Sequence, residues 1–387
     1  MTREVIGLPS AESLRHPNQP PLLYQMDRSW IANVYAGPQW LGDYPPLPKN
    51  KDYSFLGKRI ISPIECAAGP AGGRKWTAFA LRMGFGIVNQ KTMRTIAWEA
   101  NQLPNITLVE ETDLVDEQNM PDHLLGSFDL KDAGRYLNMG NSFGNPSFPV
   151  IDWTNDFRQQ LKDVGDGQIL AMSVTPSIRD NPLCKELFGR DSEVDLAIEA
   201  ANDLVHGAVA AAVAGATMEE MNVSCNNVVQ HPQEGQMYMN APLVGYAVRS
   251  FKEISPGVDI GIKCGPFRSA DQTTRTIDAC QGELNFISLI NTFPARVVNP
   301  EGVAVMPGRE QIGFSGPAIQ DVALRNVEWA AKARDSLGIS LGIKGGGGVN
   351  TPEDVDRFIN AGADVVFVAN RFLRDPLFAY EYYLYKH

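Results

Sequence analysis

The sequence predicts an α/β protein that folds as a (β/α)8 TIM barrel, with an irregular proline-rich N-terminal extension and a cap insertion after the second strand. From residue 58 onward, eight short apolar runs rich in β-branched residues alternate with longer amphipathic runs. This alternation is typical of parallel strands joined by helices. No GxGxxG follows the first strand and no GxxxxGK[ST] occurs in the chain, so a closed barrel is favoured over an open doubly wound sheet.

Residues 1–55 form a segment unlike the rest of the chain. They contain the proline-rich runs HPNQPP, AGPQW and YPPLPKN and show no helical or strand period. The segment also holds several aromatic residues, which favour docking on a folded surface over disorder: Tyr24, Trp30, Tyr35, Trp40 and Tyr44. We therefore expect an extension that wraps the barrel or contacts a neighbouring subunit.

Residues 56–387 are predicted to form the barrel itself. The eight strand candidates are RIISPIECAAG, FGIVNQKT, QILAMSV, MEEMNVS, DIGIKC, FISLINT, SLGIKG and DVVFVA. The helix candidates between them are RKWTAFALRM, WTNDFRQQLKDV, VDLAIEAANDLVHGAVAAAV, VGYAVRSFKEI, DQTTRTIDACQ, GPAIQDVALRNVEWAAKARDSL and TPEDVDRFINAG. In the last of these, Thr351 is a good N-cap and Pro352 a good first residue. Residues 101–150 are too long and polar for a plain loop and predict a cap over the barrel mouth.

Composition excludes several classes of function. The chain has a net charge of −11, which argues against nucleic acid as a partner. Its five cysteines are an odd number without CxxC pairs or metal-ligand spacing, which argues against a disulfide framework, a metal site or an iron–sulfur cluster. No apolar run approaches the ~18 residues of a membrane span, and the N-terminus lacks a secretory signal. We expect a soluble, cytoplasmic protein with no membrane partner.

Barrel enzymes carry their chemistry at the C-terminal ends of the strands. In this chain those ends deliver Gly69, Lys91, Asn222 with Cys225, Lys263, Asn291 with Thr292, Gly345 to Gly348, and Ala369 with Asn370. Two lysines, one thiol and several amides are therefore expected to converge on one opening.

The stretch GIKGGGGVNTPEDV predicts a phosphate site. It reads as a strand, four glycines and a helix start, and glycines let a phosphate approach backbone N–H groups. The stretch falls after the seventh strand, where barrels usually bind phosphate. Ser315 and Gly316, before another predicted helix, favour a shared clamp. The alternative is a glycine-rich turn needed only for backbone geometry.

The lysines and the thiol each allow two interpretations. Lys91 and Lys263 end predicted strands, where a cation would stabilise negative charge on an electron-rich ring. Either one could instead reach the surface or form an internal ion pair. Cys225, in NVSCNN, could be an inert buried residue, as most lone cysteines are. Its polar surroundings at a strand end favour a chemical role.

Four asparagines near these strand ends suit a planar ring with alternating C=O and N–H groups, because each amide offers a donor and an acceptor. They are Asn141, Asn222, Asn227 and Asn291. Each one alone is more often a turn residue.

Taken in order, these motifs resemble the dihydroorotate dehydrogenase and dihydropyrimidine dehydrogenase family of FMN-dependent barrels. The resemblance covers about residues 56–385. Its pieces are AAGPAGG, QKT, NSFGNP, NVSCNN, GIKCGPF, LINTF, GFSGPAI with VALRNV, GGGVNTPEDV and AGADVVFVA.

The resemblance implies a bound FMN, a cyclic amide substrate and a proton-transferring thiol. It implies phosphate contacts from Ser315, Gly316, Gly346, Gly347, Gly348, Ala369 and Asn370. It places Lys91, Thr92 and Lys263 beside the flavin ring and adds Ala68, Gly69 and Asn222 as further cofactor-binding residues. A dihydroorotate- or dihydropyrimidine-like ring would be held by Asn141, Asn222, Asn227, Asn291 and Thr292. Cys225, with Lys91 as a second catalytic residue, would move the proton while hydride passes between the ring and flavin N5. A cysteine base resembles the soluble branch. A homodimer and a separate electron acceptor, either a small molecule or an electron-transfer subunit, are also implied.

Three departures from the family pattern leave the substrate open. Asn226 follows the cysteine where the family has proline, the cap motif reads NSFGNPS instead of NSxGLPN, and Ala369–Asn370 replace Gly–Thr. A different cyclic amide or a secondary metabolite is therefore an alternative substrate for the same flavin chemistry.

Other classes of function also remain open on the sequence. A phosphate-binding barrel lyase or isomerase would use Lys91 or Lys263 as a Schiff-base lysine. A thiol enzyme would pair Cys225 with His231. A binding protein would keep the barrel as a scaffold without catalysis.

Overall fold

The computed structural model describes residues 7–49, 52–116, 118–177, 193–224 and 234–387. Its strands are β1 (Tyr53–Phe55), β2 (Lys58–Ile60), β3 (Ile64–Cys66), β4 (Ile87–Met93), β5 (Ile106–Val109), β6 (Leu124–Ser127), β7 (Asn138–Asn141), β8 (Ile169–Val174), β9 (Met218–Asn222), β10 (Asp259–Cys264), β11 (Phe286–Leu289), β12 (Phe293–Ala295), β13 (Val297–Val298), β14 (Ile312–Ser315), β15 (Gly342–Gly345) and β16 (Val365–Val368). Its α-helices are α1 (Ala11–Leu14), α2 (Trp30–Ala36), α3 (Arg74–Arg82), α4 (Val150–Gln160), α5 (Glu193–Val213), α6 (Ala241–Ile254), α7 (Ala270–Asp278), α8 (Gln320–Leu337), α9 (Pro352–Asn360), α10 (Asn370–Arg374) and α11 (Phe378–Lys386).

Eight parallel strands close into a barrel in the order in which they follow one another along the chain. The order is β3, β4, β8, β9, β10, β11, β15 and β16, with β16 pairing back onto β3. These strands are almost wholly buried because helices cover their outer faces, as parallel sheets require. All eight predicted strands are present, and the predicted (β/α)8 barrel is confirmed.

The first barrel strand is shorter than the sequence indicated. The predicted run began at Arg59, but Lys58–Ile60 pairs antiparallel with β1 in a separate hairpin, and the barrel strand begins at Ile64. The hairpin packs Phe55 and Ile60 against barrel residues such as Phe286 and so covers the end of the barrel where the strands begin. The boundary expected after residue 55 falls in the turn of this hairpin.

A second sheet of six strands forms the cap over the barrel mouth, in the order β12, β14, β7, β5, β6 and β13. Three of these strands come from the insertion expected at residues 101–150. The other three lie between β11 and α8, within residues 293–315, where the sequence analysis placed no cap. The cap is therefore built from two insertions, and its two halves pair directly at Gly313 and Asn141.

The N-terminal extension docks on the barrel and contains short helices, although the sequence showed no helical period there. Arg15 pairs with Asp375 and Glu381 near the C-terminus. The backbone N–H of Leu23 donates to the Leu373 carbonyl at 2.7 Å, and the Trp76 indole donates to the Asn33 carbonyl at 2.9 Å. The extension thus wraps its own barrel beside the cap.

Local signals explain where several helices begin. Thr351 Oγ1 accepts from the Asp354 N–H, and the Asp354 carboxylate accepts from the Thr351 N–H at 2.9 Å, with Pro352 as the first helical residue. This reciprocal capping box confirms the predicted start of α9. In the part of the chain that the structure describes, no helix combines the length and apolar character needed to cross a bilayer.

Candidate active site

One cavity lies at the barrel mouth, between the C-terminal strand ends and the cap. Its lining includes most of the residues that the sequence predicted for a site: Ala68, Gly69, Lys91, Thr92, Asn141, Asn222, Lys263, Asn291, Thr292, Ser315, Gly316, Gly347, Gly348, Ala369 and Asn370. Most of them follow barrel strands, which all end at the same edge of the barrel. Asn141, Ser315 and Gly316 come instead from the ends of cap strands β7 and β14.

Glycines form one end of the cavity, where two loops approach each other closely. Gly348 has a φ of +85°, and a Cβ built on it would lie 2.9 Å from the Gly316 carbonyl oxygen. A side chain at this position would therefore both strain the backbone and push the loops apart. Because these glycines have no Cβ, their backbone is open to a ligand.

Asn370 lies in the same region of the cavity and supplies an unused hydrogen-bond donor. Its Oδ1 accepts from the Ser315 hydroxyl at 3.3 Å, whereas its Nδ2 is buried without a partner among the described residues. Buried amide donors are seldom left unpaired in proteins. Glycine backbone, a serine hydroxyl and an orphan amide donor together fit the phosphate of a flavin mononucleotide.

Gly346 differs from the other predicted phosphate-binding glycines. Its N–H donates to the Leu289 carbonyl at 2.7 Å, and its carbonyl accepts from the Ile290 N–H at 2.9 Å. Both backbone groups are therefore already hydrogen-bonded, and Gly346 does not line the cavity.

Two lysines line the cavity while being almost completely buried. Lys91 and Lys263 are each 6% exposed. The Lys263 Nζ lies 4.8 Å from the centre of the Phe367 ring, and within the described ranges it has no ion pair. A buried ammonium group near a cavity favours a ligand that carries or develops negative charge.

Amides and hydroxyls beside the lysines are linked into one network. Asn291 Nδ2 donates to Asn222 Oδ1 at 3.3 Å, and Asn222 Nδ2 donates to Thr92 Oγ1 at 3.4 Å. Ser224 joins this network through its N–H, which donates to Asn222 Oδ1 at 3.3 Å, and through its hydroxyl, which donates to the Lys263 carbonyl at 2.9 Å. These contacts fix the rotamers of the side chains that face the cavity.

Cys225 and Asn227 lie outside the described residues, and so does His231. Three other cysteines are described, and all are buried: Cys66, Cys264 and Cys280. Burial raises the pKa of the Cys280 thiol to about 12 and raises those of Cys66 and Cys264 well above their ordinary values. These three thiols are packed in the core and do not line the cavity.

A buried ion pair lies inside the barrel, away from the cavity lining. Lys344 Nζ is 2.7 Å from Glu65 Oε2, and the two side chains are 0% and 2% exposed. The Lys344 ammonium also lies 4.2 Å from the centre of the Phe286 ring. Neither residue was predicted to have a role, because nothing in the glycine-rich stretch around Lys344 indicates that its partner is Glu65.

Several further residues line the cavity that were not predicted from the sequence. Tyr24 and Trp30 come from the N-terminal extension, Asn145 from the cap motif, and Arg371 and Arg374 from α10. The aromatic residues of the extension were a signal for docking, but nothing in their spacing connected them to the cavity.

Comparisons with known proteins agree with this geometry. The family model for dihydroorotate dehydrogenase matches residues 194–380. The dihydroorotate dehydrogenase of Dictyostelium discoideum is 28% identical over 376 residues, covering 93% of this chain and 96% of that protein. The catalytic subunit of dihydroorotate dehydrogenase B (NAD(+)) from Alkaliphilus oremlandii is 25% identical over 331 residues, covering 85% of this chain and 89% of the relative.

A solved structure supports the fold. The crystal structure of DHODH from Eimeria tenella in complex with ferulenol aligns with a TM-score of 0.63 at 17% identity, covering 92% of this chain and 87% of that one. The comparisons therefore show that this chain is similar to dihydroorotate dehydrogenases, a family of FMN-dependent oxidoreductases.

Proposed function

We propose that this enzyme interconverts a carbon–carbon single and double bond in a dihydroorotate- or dihydropyrimidine-like ring. The observation that carries the proposal is the meeting, in one cavity, of two buried lysines with a linked set of asparagine amides and a glycine phosphate cradle. The amides suit a ring with C=O and N–H groups, and the lysines suit a site where electrons accumulate.

In this proposal Asn141, Asn222, Asn227 and Asn291, with Thr292, hold the ring by its polar edges. The network between Asn222 and Asn291 pre-orients both carboxamides, so little side-chain entropy is lost when a ring binds. The ring then lies in a fixed orientation relative to the lysines.

FMN, when bound, supplies the hydride acceptor and donor. Ser315, Gly316, Gly347, Gly348, Ala369 and Asn370 would hold its phosphate, and Ala68, Gly69, Thr92 and Asn222 would contact its ring. Lys91 and Lys263 would place positive charge beside that ring. Water is largely kept away from these ammonium groups, which strengthens their electrostatic effect on the reaction.

Cys225 is the proposed general acid and base. Among the described residues that line the cavity there is no carboxylate, histidine or thiol, so the proton is not moved by one of those groups. Ser224, the residue before Cys225, is tied to Asn222 and Lys263 at the cavity. A thiol one residue further on has the chemistry that proton transfer to or from a ring carbon needs.

The electron acceptor that reoxidises the flavin is proposed only as a class of partner. The family uses a small-molecule substrate together with an electron acceptor, and the Alkaliphilus relative is by name the catalytic subunit of an NAD(+)-linked enzyme. We propose a separate small-molecule acceptor or electron-transfer subunit for this chain, and a cytoplasmic homodimer.

Turnover with an artificial electron acceptor tests the proposal. Dihydroorotate, dihydrouracil and dihydrothymine are each supplied to the FMN-loaded enzyme, and the oxidised ring is quantified by chromatography. We expect one of these rings to be oxidised and Cys225→Ser to lower that rate by about 10²- to 10⁴-fold. Cys280→Ser is the control, because its hydroxyl can keep the contact that Cys280 makes with the Thr276 carbonyl. Full activity in Cys225→Ser would remove the thiol from the mechanism, and failure to oxidise any of the three rings would favour another cyclic amide.

A further inference from the structure

The cap motif NSFGNPS contains two consecutive residues in the left-handed region. Gly144 has a φ of +76° and Asn145 a φ of +50°. Asparagine is one of the few residues with a side chain that tolerate this region. The turn brings Asn145 to the cavity wall, where it is 6% exposed.

A buried arginine holds Asn145 in place. Arg94, 1% exposed, donates from Nε to the Asn145 carbonyl at 3.1 Å and from its backbone N–H to the Ser147 hydroxyl at 2.9 Å. The Arg94 guanidinium also donates to the Pro176 carbonyl. Since Arg94 directly follows β4, the strand that carries Lys91, the cap turn is held by the segment at the end of that strand.

The side chain of Asn145 has an unused donor. Within the described part of the chain, its Nδ2 is buried and makes no hydrogen bond. An amide N–H₂ that is removed from water and left unpaired costs free energy, which a ligand bearing an acceptor would recover.

We propose that Asn145 is a further substrate-binding residue, whose carboxamide donates a hydrogen bond to an oxygen of the bound ring and thereby sets specificity. The inference rests on the proposed function. The oxygen belongs either to a ring carbonyl, which every dihydropyrimidine has, or to a carboxylate substituent, which dihydroorotate alone carries among the three test rings.

Backbone conformation supplies a competing reason for asparagine at this position, and two variants separate the two reasons. Asn145→Gly keeps the left-handed backbone and removes the amide. Asn145→Asp keeps both the backbone tolerance and the side-chain shape but replaces the donor with a carboxylate. If the turn alone required asparagine, both variants would bind substrate as the wild type does.

The experiment measures KM for the reduced ring and Kd for the oxidised ring, the latter from the change in flavin absorbance on binding. For Asn145→Gly we expect both constants to rise by about 2- to 10-fold if the partner is a ring carbonyl, or by about 10- to 150-fold if it is a carboxylate. Asn145→Asp should weaken binding more than Asn145→Gly, most strongly for dihydroorotate if the carboxylate is the partner. Flavin content should not change.

Asn155→Asp is the matched control, since Asn155 is exposed on α4 and away from the cavity. Unchanged KM and Kd in both Asn145 variants, with the wild type active, would overturn this inference and leave the proposed function intact. If the wild type neither binds nor oxidises any test ring, the proposed function has failed, and a Kd screen with other cyclic amides then decides on Asn145 by the same criterion.

Discussion

Gly348→Ala tests the proposed phosphate cradle, because an added side chain at this residue meets two independent steric obstacles. Its φ of +85° lies in the left-handed region, and the added Cβ would lie 2.8 Å from the Gln320 Cβ and 2.9 Å from the Gly316 carbonyl oxygen. The second of these atoms belongs to backbone and cannot rotate away. The loops carrying Gly316 and Gly348 must therefore separate to accept a methyl group.

The expected cost follows from the backbone alone. A residue with a Cβ pays about 1–2 kcal/mol in the left-handed region. The FMN-free protein can relieve this strain by shifting the loop, whereas FMN binding needs the loop in place. The strain therefore appears in the Kd for FMN as a weakening of about 5- to 30-fold, and separation of the Gly316 loop adds to it.

Titration of FMN into flavin-free protein, followed by quenching of flavin fluorescence, measures this Kd. Gly338→Ala is the matched control: Gly338 also has a positive φ, +63°, but a Cβ there meets nothing within 4 Å. Gly338 ends α8 and does not line the cavity. We expect it to lose stability by about 1 kcal/mol while keeping the wild-type Kd. An unchanged Kd in Gly348→Ala, or equal weakening in both variants, would refute the placement of the phosphate at these glycines.

Two further predictions concern buried charge. Lys344→Met should lower the free energy of unfolding by about 3–5 kcal/mol in urea titrations, because it leaves the Glu65 carboxyl buried without its partner. The double variant with Lys344→Met and Glu65→Leu should recover most of the lost stability. A Lys344→Met protein as stable as the wild type would contradict this prediction. Burial raises the pKa of Glu219 well above its ordinary value, so the folded state holds its proton after the unfolded state has released it, and stability is lost as pH rises from about 4.5 toward the folded pKa. The free energy of unfolding of Glu219→Gln should therefore rise relative to that of the wild type by up to about 1.4 kcal/mol per pH unit over that range. A difference in stability that stays constant across pH would show that Glu219 is not buried as a neutral acid.

The barrel was predictable from sequence because its signals are local. Each strand is a short apolar run between helical patterns, and eight such runs in succession leave little choice of architecture. The start of α9 was predictable for the same reason, since Thr351, Pro352 and Asp354 act within one turn of helix. The predicted positions of Lys91 and Lys263 followed from the strands that carry them.

The second half of the cap was not predictable in the same way. Strands β12 and β13 have three and two residues, too few for a period to show. They are stabilised by pairing with partners far away in the sequence, such as β13 with β6. Tertiary pairing decides such short strands, and local propensity does not.

Single side chains that act through distant neighbours were also missed. Asn145 looks like an ordinary turn residue in the sequence. Only the structure shows that Asn145 lines the cavity and that Arg94 donates to its carbonyl. The contact of the N-terminal extension with the cavity also depends on residues that are distant in the sequence. Tyr24 packs against Phe143 of the cap motif with ring centres 5.7 Å apart, a pairing that no local pattern encodes.

The most direct test of the proposed chemistry is an anaerobic titration of the oxidised, FMN-loaded enzyme with dihydroorotate, dihydrouracil and dihydrothymine in turn. We expect one of these rings to bleach the flavin absorbance at about one equivalent per bound FMN, in the absence of any other electron donor. A flavin that dithionite reduces but that keeps its full absorbance with all three rings would contradict it.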